Sequence, residues 1–258
     1  GSLLFTNEPM RTRVQILSEN IQKFGHEDVI VTNNYPRDYR KARIMFDAIL
    51  ADVPCSGEGM FRKDEGAIAE WSRQNVDNCW RLQREIVSDI WSCLRPGGLL
   101  IYSTCTFNAH EDEENVEWIA SELGADILSL PVEAEWGITP AVVGDIPAYR
   151  FLPGVSRSEG LFLAVLRKHG DADEAPVKED NRKAPRRGRG EKAAVVRTPD
   201  VQLVSPSDYA VRQGVSDTLL AVPTRWADVY DKAAASLKVM HAGVQLGTVK
   251  GKDVVPSQ

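Results

Sequence analysis

Cysteine is scarce in this chain: four residues in 258, namely Cys55, Cys79, Cys93 and Cys105. At that density they do not make the disulfide framework of a small secreted domain, and no spacing resembles a zinc site, so no metal is expected. Long apolar runs are missing as well. No stretch approaches the length of a membrane span, and no membrane partner is expected. Excess positive charge is lacking, since the formal net charge is −6. That argues against coating nucleic acid by bulk charge, but it leaves room for a local basic groove. Reduced thiols make the cytoplasm the expected compartment. What the chain does have is 43% apolar residues, enough for a real core in one or two domains.

Residues 3–8 read as a short buried strand ending in the carboxylate of Glu8. Pro9 then opens a helix that Gly25 stops, with Met10, Val14, Leu17, Ile21 and Phe24 at helical spacing. Residues 29–31 and 44–50 read as two further strands, the second followed by the glycine-rich loop Ser56-Gly57-Glu58-Gly59. A long amphipathic helix is expected over 75–94, with Cys79 and Cys93 as packing residues inside it. A strand over 99–103, a helix over 111–123 with acidic first turns that favour its dipole, and a strand over 161–166 complete the series. Strands alternating with helices predict an α/β fold with a parallel, doubly wound sheet.

The character changes at 170–200, which is acidic and then basic, with Arg186 and Arg187 among prolines and glycines. No periodicity supports a core there, so a disordered charged linker is expected, whose basic half could track phosphates. From 201 to 258 a small α+β unit is expected, with strands at 201–204, 218–222, 239–240 and 244–249 and a helix over 225–237.

Two thiols stand out by position. Cys55 lies in Asp52-Val53-Pro54-Cys55-Ser56-Gly57 and Cys105 in Ser103-Thr104-Cys105-Thr106, each where a strand gives way to a loop. That edge of an open α/β sheet is where ligands bind. A thiolate is the best protein nucleophile for a polarised ring carbon, although small buried cysteines are common as packing. Methylating C5 of cytosine needs such a thiolate at C6, an acid near N3, and a base removed from its stack. Cys55, Cys105 and Asp52 supply this set. Glu8, at the end of an earlier strand, is placed like the acid that holds ribose hydroxyls in doubly wound folds, or equally like a carboxylate at its own helix N-terminus.

The run Asp52-Val53-Pro54-Cys55-Ser56-Gly57-Glu58-Gly59-Met60-Phe61-Arg62-Lys63-Asp64, with Tyr102-Ser103-Thr104-Cys105-Thr106-Phe107-Asn108, closely resembles the Sun-type (nucleolar protein) RNA cytosine-C5 methyltransferases. It is most similar to their bacterial small-subunit ribosomal RNA branch. Glu111-Asp112-Glu113-Glu114-Asn115-Val116 and Glu159-Gly160-Leu161-Phe162-Leu163-Ala164 fit that branch too, and the tail from His241 resembles the family's PUA-like RNA-binding module.

The resemblance implies a Rossmann-like methyltransferase sheet over 1–169, the linker at 170–200, and a PUA-like module over 201–258. It also implies that the chain starts one strand after the family's first strand and glycine loop and stops within the module. By the same resemblance Cys105 is the nucleophile, Cys55 helps release the product, and Asp52 serves the base and the donor's reactive end. Glu8 is implied at the ribose of S-adenosylmethionine, with Asn34 and Tyr35 where the family contacts adenosine. Arg62, Lys63, Arg186 and Arg187 are the expected RNA contacts, 16S ribosomal RNA the expected substrate, and a monomer the expected state. Two other readings compete: a non-catalytic RNA-binding or ribosome-assembly protein without a donor site, and a DNA cytosine methyltransferase that attacks with its Pro-Cys thiol.

Overall fold

The computed structural model describes residues 1–170, 205–251 and 253–257. The elements run β1 (Leu4–Asn7), α1 (Arg11–Phe24), β2 (Val29–Thr32), α2 (Tyr39–Ala42), β3 (Phe46–Asp52), α3 (Glu65–Glu70), α4 (Arg73–Trp91) and β4 (Leu94–Thr104). Then come α5 (Glu113–Leu123), β5 (Ala125–Ile127), β6 (Tyr149–Phe151), β7 (Leu161–Lys168), β8 (Tyr209–Gln213), β9 (Thr218–Pro223), α6 (Ala227–Ala234), β10 (Val239–Ala242), β11 (Val244–Lys250) and β12 (Asp253–Pro256). They form two compact units. One joins residues 1–44 to the described residues from 205 onward; the other begins at Met45 and holds the rest of the first described stretch.

In the first unit β1 and β2 are parallel, connected by α1. Gly25 stops that helix in the left-handed region at φ 73°, where its N–H reaches the carbonyl of Ile21, a conformation that costs a side-chain-bearing residue energy. Val14 packs on Val29 and Val31, with Leu17 and Ile21 beside them. The stripe is narrower than its spacing suggests, because Met10 and Phe24 are 54% and 73% exposed. Strand β1 is half-exposed rather than buried, since it is the edge of the order β1-β2-β10. Strand β2 is buried throughout because β10 covers its other side, antiparallel.

The C-terminal elements add a second, antiparallel sheet in the order β12-β11-β9-β8 around Leu219, Ala221 and Leu246. Strands β9, β10 and β11 and helix α6 lie where the sequence places them, whereas β8 and β12 add strands that the sequence reading did not include. The expected linker, the strand at 201–204, Arg186 and Arg187 all lie outside the described residues.

The second unit is built on the sheet β3-β4-β7-β5, with β6 also pairing to β7. Strands β3 and β4 are parallel, but β7 is antiparallel to β4, β5 and β6. The sheet is therefore mixed rather than wholly parallel. The chain returns from β6 to β7 through a loop, and a parallel neighbour would need a crossover. Strand β4 is central and carries the core residues Leu94, Leu100 and Tyr102, against Val87 of α4 and Val116 and Ile119 of α5. Strand β3 is an edge, so Leu50, expected to be buried, is 65% exposed. Helix α4 begins where Ser72 Oγ accepts the N–H of Asn75 at 3.1 Å, a cap worth about 1 kcal/mol. Among the described residues no helix is long and apolar enough to cross a membrane.

Candidate active site

Parallel register sets Asp52, the last residue of β3, opposite Ser103 near the end of β4. The two following loops therefore leave the same edge of the sheet, side by side. Val53 N–H extends the ladder to Ser103 O at 3.1 Å, and Gly59 N–H donates to Cys105 O at 2.8 Å. The consequence is that Cys55 Sγ and Cys105 Sγ lie 2.9 Å apart.

The two half-buried thiols are not equivalent. Cys105 is brought down to about 7, chiefly by its hydrogen bond with Cys55, against the opposing effects of burial and of Asp52 and Glu111. Cys55 is pushed far up by the same hydrogen bond and by burial. The negative charge therefore settles on Cys105 while the proton stays on Cys55, the division wanted of an attacking thiolate and a neighbouring acid. Cys79, half-buried in α4, is raised to about 11, mostly by desolvation and less by Glu111 and Cys105. Asp52 is exposed, and its Oδ1 accepts from Ser103 Oγ at 3.1 Å.

A buried polar scaffold supports the loops. Glu111, Asp112 and Glu113 are at most 1% exposed, so these acids do not serve as solvated partners of a helix dipole. Glu111 Oε2 accepts from Ser56 N–H at 3.0 Å and Gln83 Nε2 at 2.7 Å, and Oε1 accepts from Asn108 Nδ2 at 2.8 Å. Gln83 Nε2 also donates to Pro54 O at 2.9 Å. Glu58 accepts from Phe107 N–H at 2.9 Å and from Trp71 Nε1 at 3.0 Å. Thr104 Oγ1 donates to Asp112 Oδ1 at 2.6 Å, and the buried Arg150 forks onto Glu113 at 3.0 and 2.5 Å. Burial pushes the Asp112 carboxyl well above its usual range, opposed by Thr104 and Arg150.

The remaining expected site residues fall elsewhere. Glu8, Asn34 and Tyr35 belong to the first unit, Asp52 and both thiols to the second. Glu8 Oε1 accepts the N–H of Met10 at 2.8 Å and Oε2 meets Arg13 Nε at 3.1 Å, so the carboxylate does act at its own helix N-terminus. Each oxygen retains a second acceptor direction, which is what a ribose diol needs. Asn34 Oδ1 accepts from Lys238 N–H at 2.9 Å, and the Tyr35 ring, 57% exposed, lies under the Arg37 guanidinium. Within the first unit, Glu8, Asn34 and Tyr35 fit the ribose and base of a nucleoside-bearing methyl donor in kind. Arg62 is exposed, while Lys63 pairs with Glu159. Among the described residues no cluster of His, Cys, Asp or Glu could hold a metal ion.

Sequence reasoning missed Gln83, Asn108 and Glu111 as site residues. A signal existed for Gln83, which sits on the apolar stripe of α4 between Val76 and Val87 and is fully buried.

The sequence matches the family described as 16S rRNA methyltransferase RsmB/F over residues 2–167. It is 36% identical over 175 residues to the ribosomal RNA small subunit methyltransferase F of Cronobacter sakazakii, covering 67% of this chain and 36% of that protein. The Serratia proteamaculans protein of the same name is 38% identical over 170 residues, covering 64% and 35%. The chain thus spans about a third of the length of the curated relatives it matches. The crystal structure of NSun6 from Pyrococcus horikoshii with SFG superposes with a TM-score of 0.57 at 27% identity, covering 66% of this chain and 42% of that one. A methyltransferase homologue from the same organism gives 0.55 at 24% identity, with coverages of 64% and 53%.

Proposed function

This chain belongs to the 16S rRNA methyltransferase RsmB/F family, and from that premise we propose that it methylates cytosine C5 in small-subunit ribosomal RNA through a covalent thiol adduct. The observation that carries the reading is the thiol pair, Cys55 Sγ and Cys105 Sγ 2.9 Å apart at the ends of two paired strands. The Cys105 thiolate adds to C6 of an unstacked cytosine, and the ring electrons move onto C5. Asp52, exposed at the strand end, faces the pyrimidine edge and, when it carries a proton, donates it toward N3 as the ring takes up negative charge. Once C5 carries the methyl group its proton passes to a water molecule, the C5–C6 double bond re-forms, and Cys105 departs as the thiolate. Cys55, hydrogen-bonded to that sulfur, assists the release.

S-adenosylmethionine, when bound, supplies the electrophilic methyl group. Glu8 would hold its ribose hydroxyls, with Asn34 and Tyr35 toward the adenosine and Asp52 toward the reactive end. The NSun6 relative was solved with SFG, an analogue of that donor, which supports the assignment. We place RNA contacts on Arg62, Lys63, Arg186 and Arg187, read the residues from 201 as a PUA-like RNA-binding module, and expect a cytoplasmic monomer.

The test is to incubate the protein with labelled S-adenosylmethionine and small-subunit ribosomal RNA, then digest the RNA to nucleosides. Label in 5-methylcytidine is expected. Label in another nucleoside would overturn the position, and RNA binding without transfer would favour the non-catalytic reading.

A further inference from the structure

We infer that Glu111 is a positioning residue: it clamps the Cys55 loop against the Cys105 loop so that the Cys55 S–H stays aimed at the Cys105 sulfur. The inference rests on the reading of Cys105 as the attacking thiol. Cys55 is gripped from both sides. Pro54 O, before it, takes the Gln83 amide at 2.9 Å, and Ser56 N–H, after it, donates to Glu111 at 3.0 Å. The same Gln83 amide nitrogen reaches Glu111 at 2.7 Å, so the two grips are one assembly. The other Glu111 oxygen takes Asn108 Nδ2 at 2.8 Å, and Asn108 Oδ1 accepts the N–H of Glu111 at 2.9 Å. Asn108 follows Cys105 by three residues, so this second link fixes the nucleophile's own loop. Tyr102 closes the arrangement by donating to Glu111 O at 2.8 Å.

Glu111 does not serve as a charge that creates the thiolate. Its negative charge near Cys105 opposes ionisation, as does that of Asp52, whereas the Cys55 hydrogen bond promotes it. Geometry and charge therefore pull in opposite directions, and this makes the role measurable. Asp52 from β3, Cys79 from α4 and Tyr102 from β4 also face the thiols and stay constant in the variants below.

The experiment is iodoacetamide alkylation of the full chain across a pH series, with Cys105 followed by peptide mass spectrometry. No RNA or methyl donor is present, so failure of the proposed methylation and failure of this inference remain distinguishable. In Glu111→Gln, loss of the clamp is expected to raise the Cys105 midpoint by about one pH unit or more. A downward shift would mean that Glu111 acts as a bare charge; a lowered melting temperature with an unmoved midpoint would mean that it only supports the fold. Either result overturns the inference. Gln83→Met leaves the carboxylate in place and releases Pro54 O, so it serves if Glu111→Gln does not fold. A smaller upward shift is expected there, and an unmoved midpoint overturns the inference equally.

Discussion

Substituting Gly59 by alanine tests how tightly the Cys105 backbone is held. Gly59 N–H donates to Cys105 O at 2.8 Å, and a Cβ built on Gly59 would stand 2.5 Å from that same oxygen. Real Cβ atoms essentially never approach closer than 3.0 Å, so the two loops must part by roughly 0.5 Å. Relief through backbone shifts costs about 1–3 kcal/mol, and weakening the hydrogen bond adds on the order of 1 kcal/mol. The carbonyl that moves belongs to Cys105 itself, so its sulfur moves too. Gly59→Ala should therefore lower the melting temperature by about 10 °C and, by stretching the Cys55–Cys105 hydrogen bond that holds Cys105 down, slow Cys105 alkylation below neutral pH by roughly tenfold for each pH unit its midpoint rises. Thermal denaturation followed by circular dichroism, with peptide-mapped alkylation, measures both. Wild-type stability together with wild-type alkylation would refute the claim that this contact sets the Cys105 backbone.

Arg150→Met should cost about 3–5 kcal/mol in chemical denaturation, because it leaves the buried carboxylate of Glu113 without its cation; unchanged stability would contradict this. The lowered Cys105 value means that its thiolate, and so its alkylation, rises through about pH 7, whereas Cys79 should react only as pH approaches about 11. The reverse order of reactivity would contradict the division of charge. If Arg62, Arg186 and Arg187 touch RNA phosphates, replacing all three by alanine should reduce the magnitude of the log K against log salt slope by about 2, and an unaltered slope would remove them from the interface.

The sequence carried the thiol pair because its signal is local. Cys55 and Cys105 each close a strand, and parallel strands set their ends side by side, so two short motifs implied one site. The alternation of strands and helices likewise led to β1, α1, β2, α4, β4, α5 and β7. What stayed hidden depends on partners distant in sequence. The reversal of β7 follows from its pairing with β6, and the coverage of β2 by β10 joins residues some two hundred positions apart. The exposure of Leu50 follows from an edge position that hydrophobicity does not encode. The acidic run from Glu111 reads as a solvated helix start until Gln83, Asn108, Arg150 and the Ser56 amide are seen to surround it. Glu8 illustrates a reading that sequence left open, since its contacts with Met10 and Arg13 place it at its helix N-terminus while leaving acceptor capacity for a ligand.

The central claim is that Cys105 attacks and Cys55 releases. It is tested most directly by incubating Cys55→Ala and Cys105→Ala separately with small-subunit ribosomal RNA and S-adenosylmethionine and running each on a denaturing gel. The account predicts that Cys55→Ala accumulates a protein–RNA adduct, because the bond forms but resolves slowly, and that Cys105→Ala forms none. Adduct with Cys105→Ala and none with Cys55→Ala would reverse the roles, and full turnover by both variants would reduce the thiols to packing.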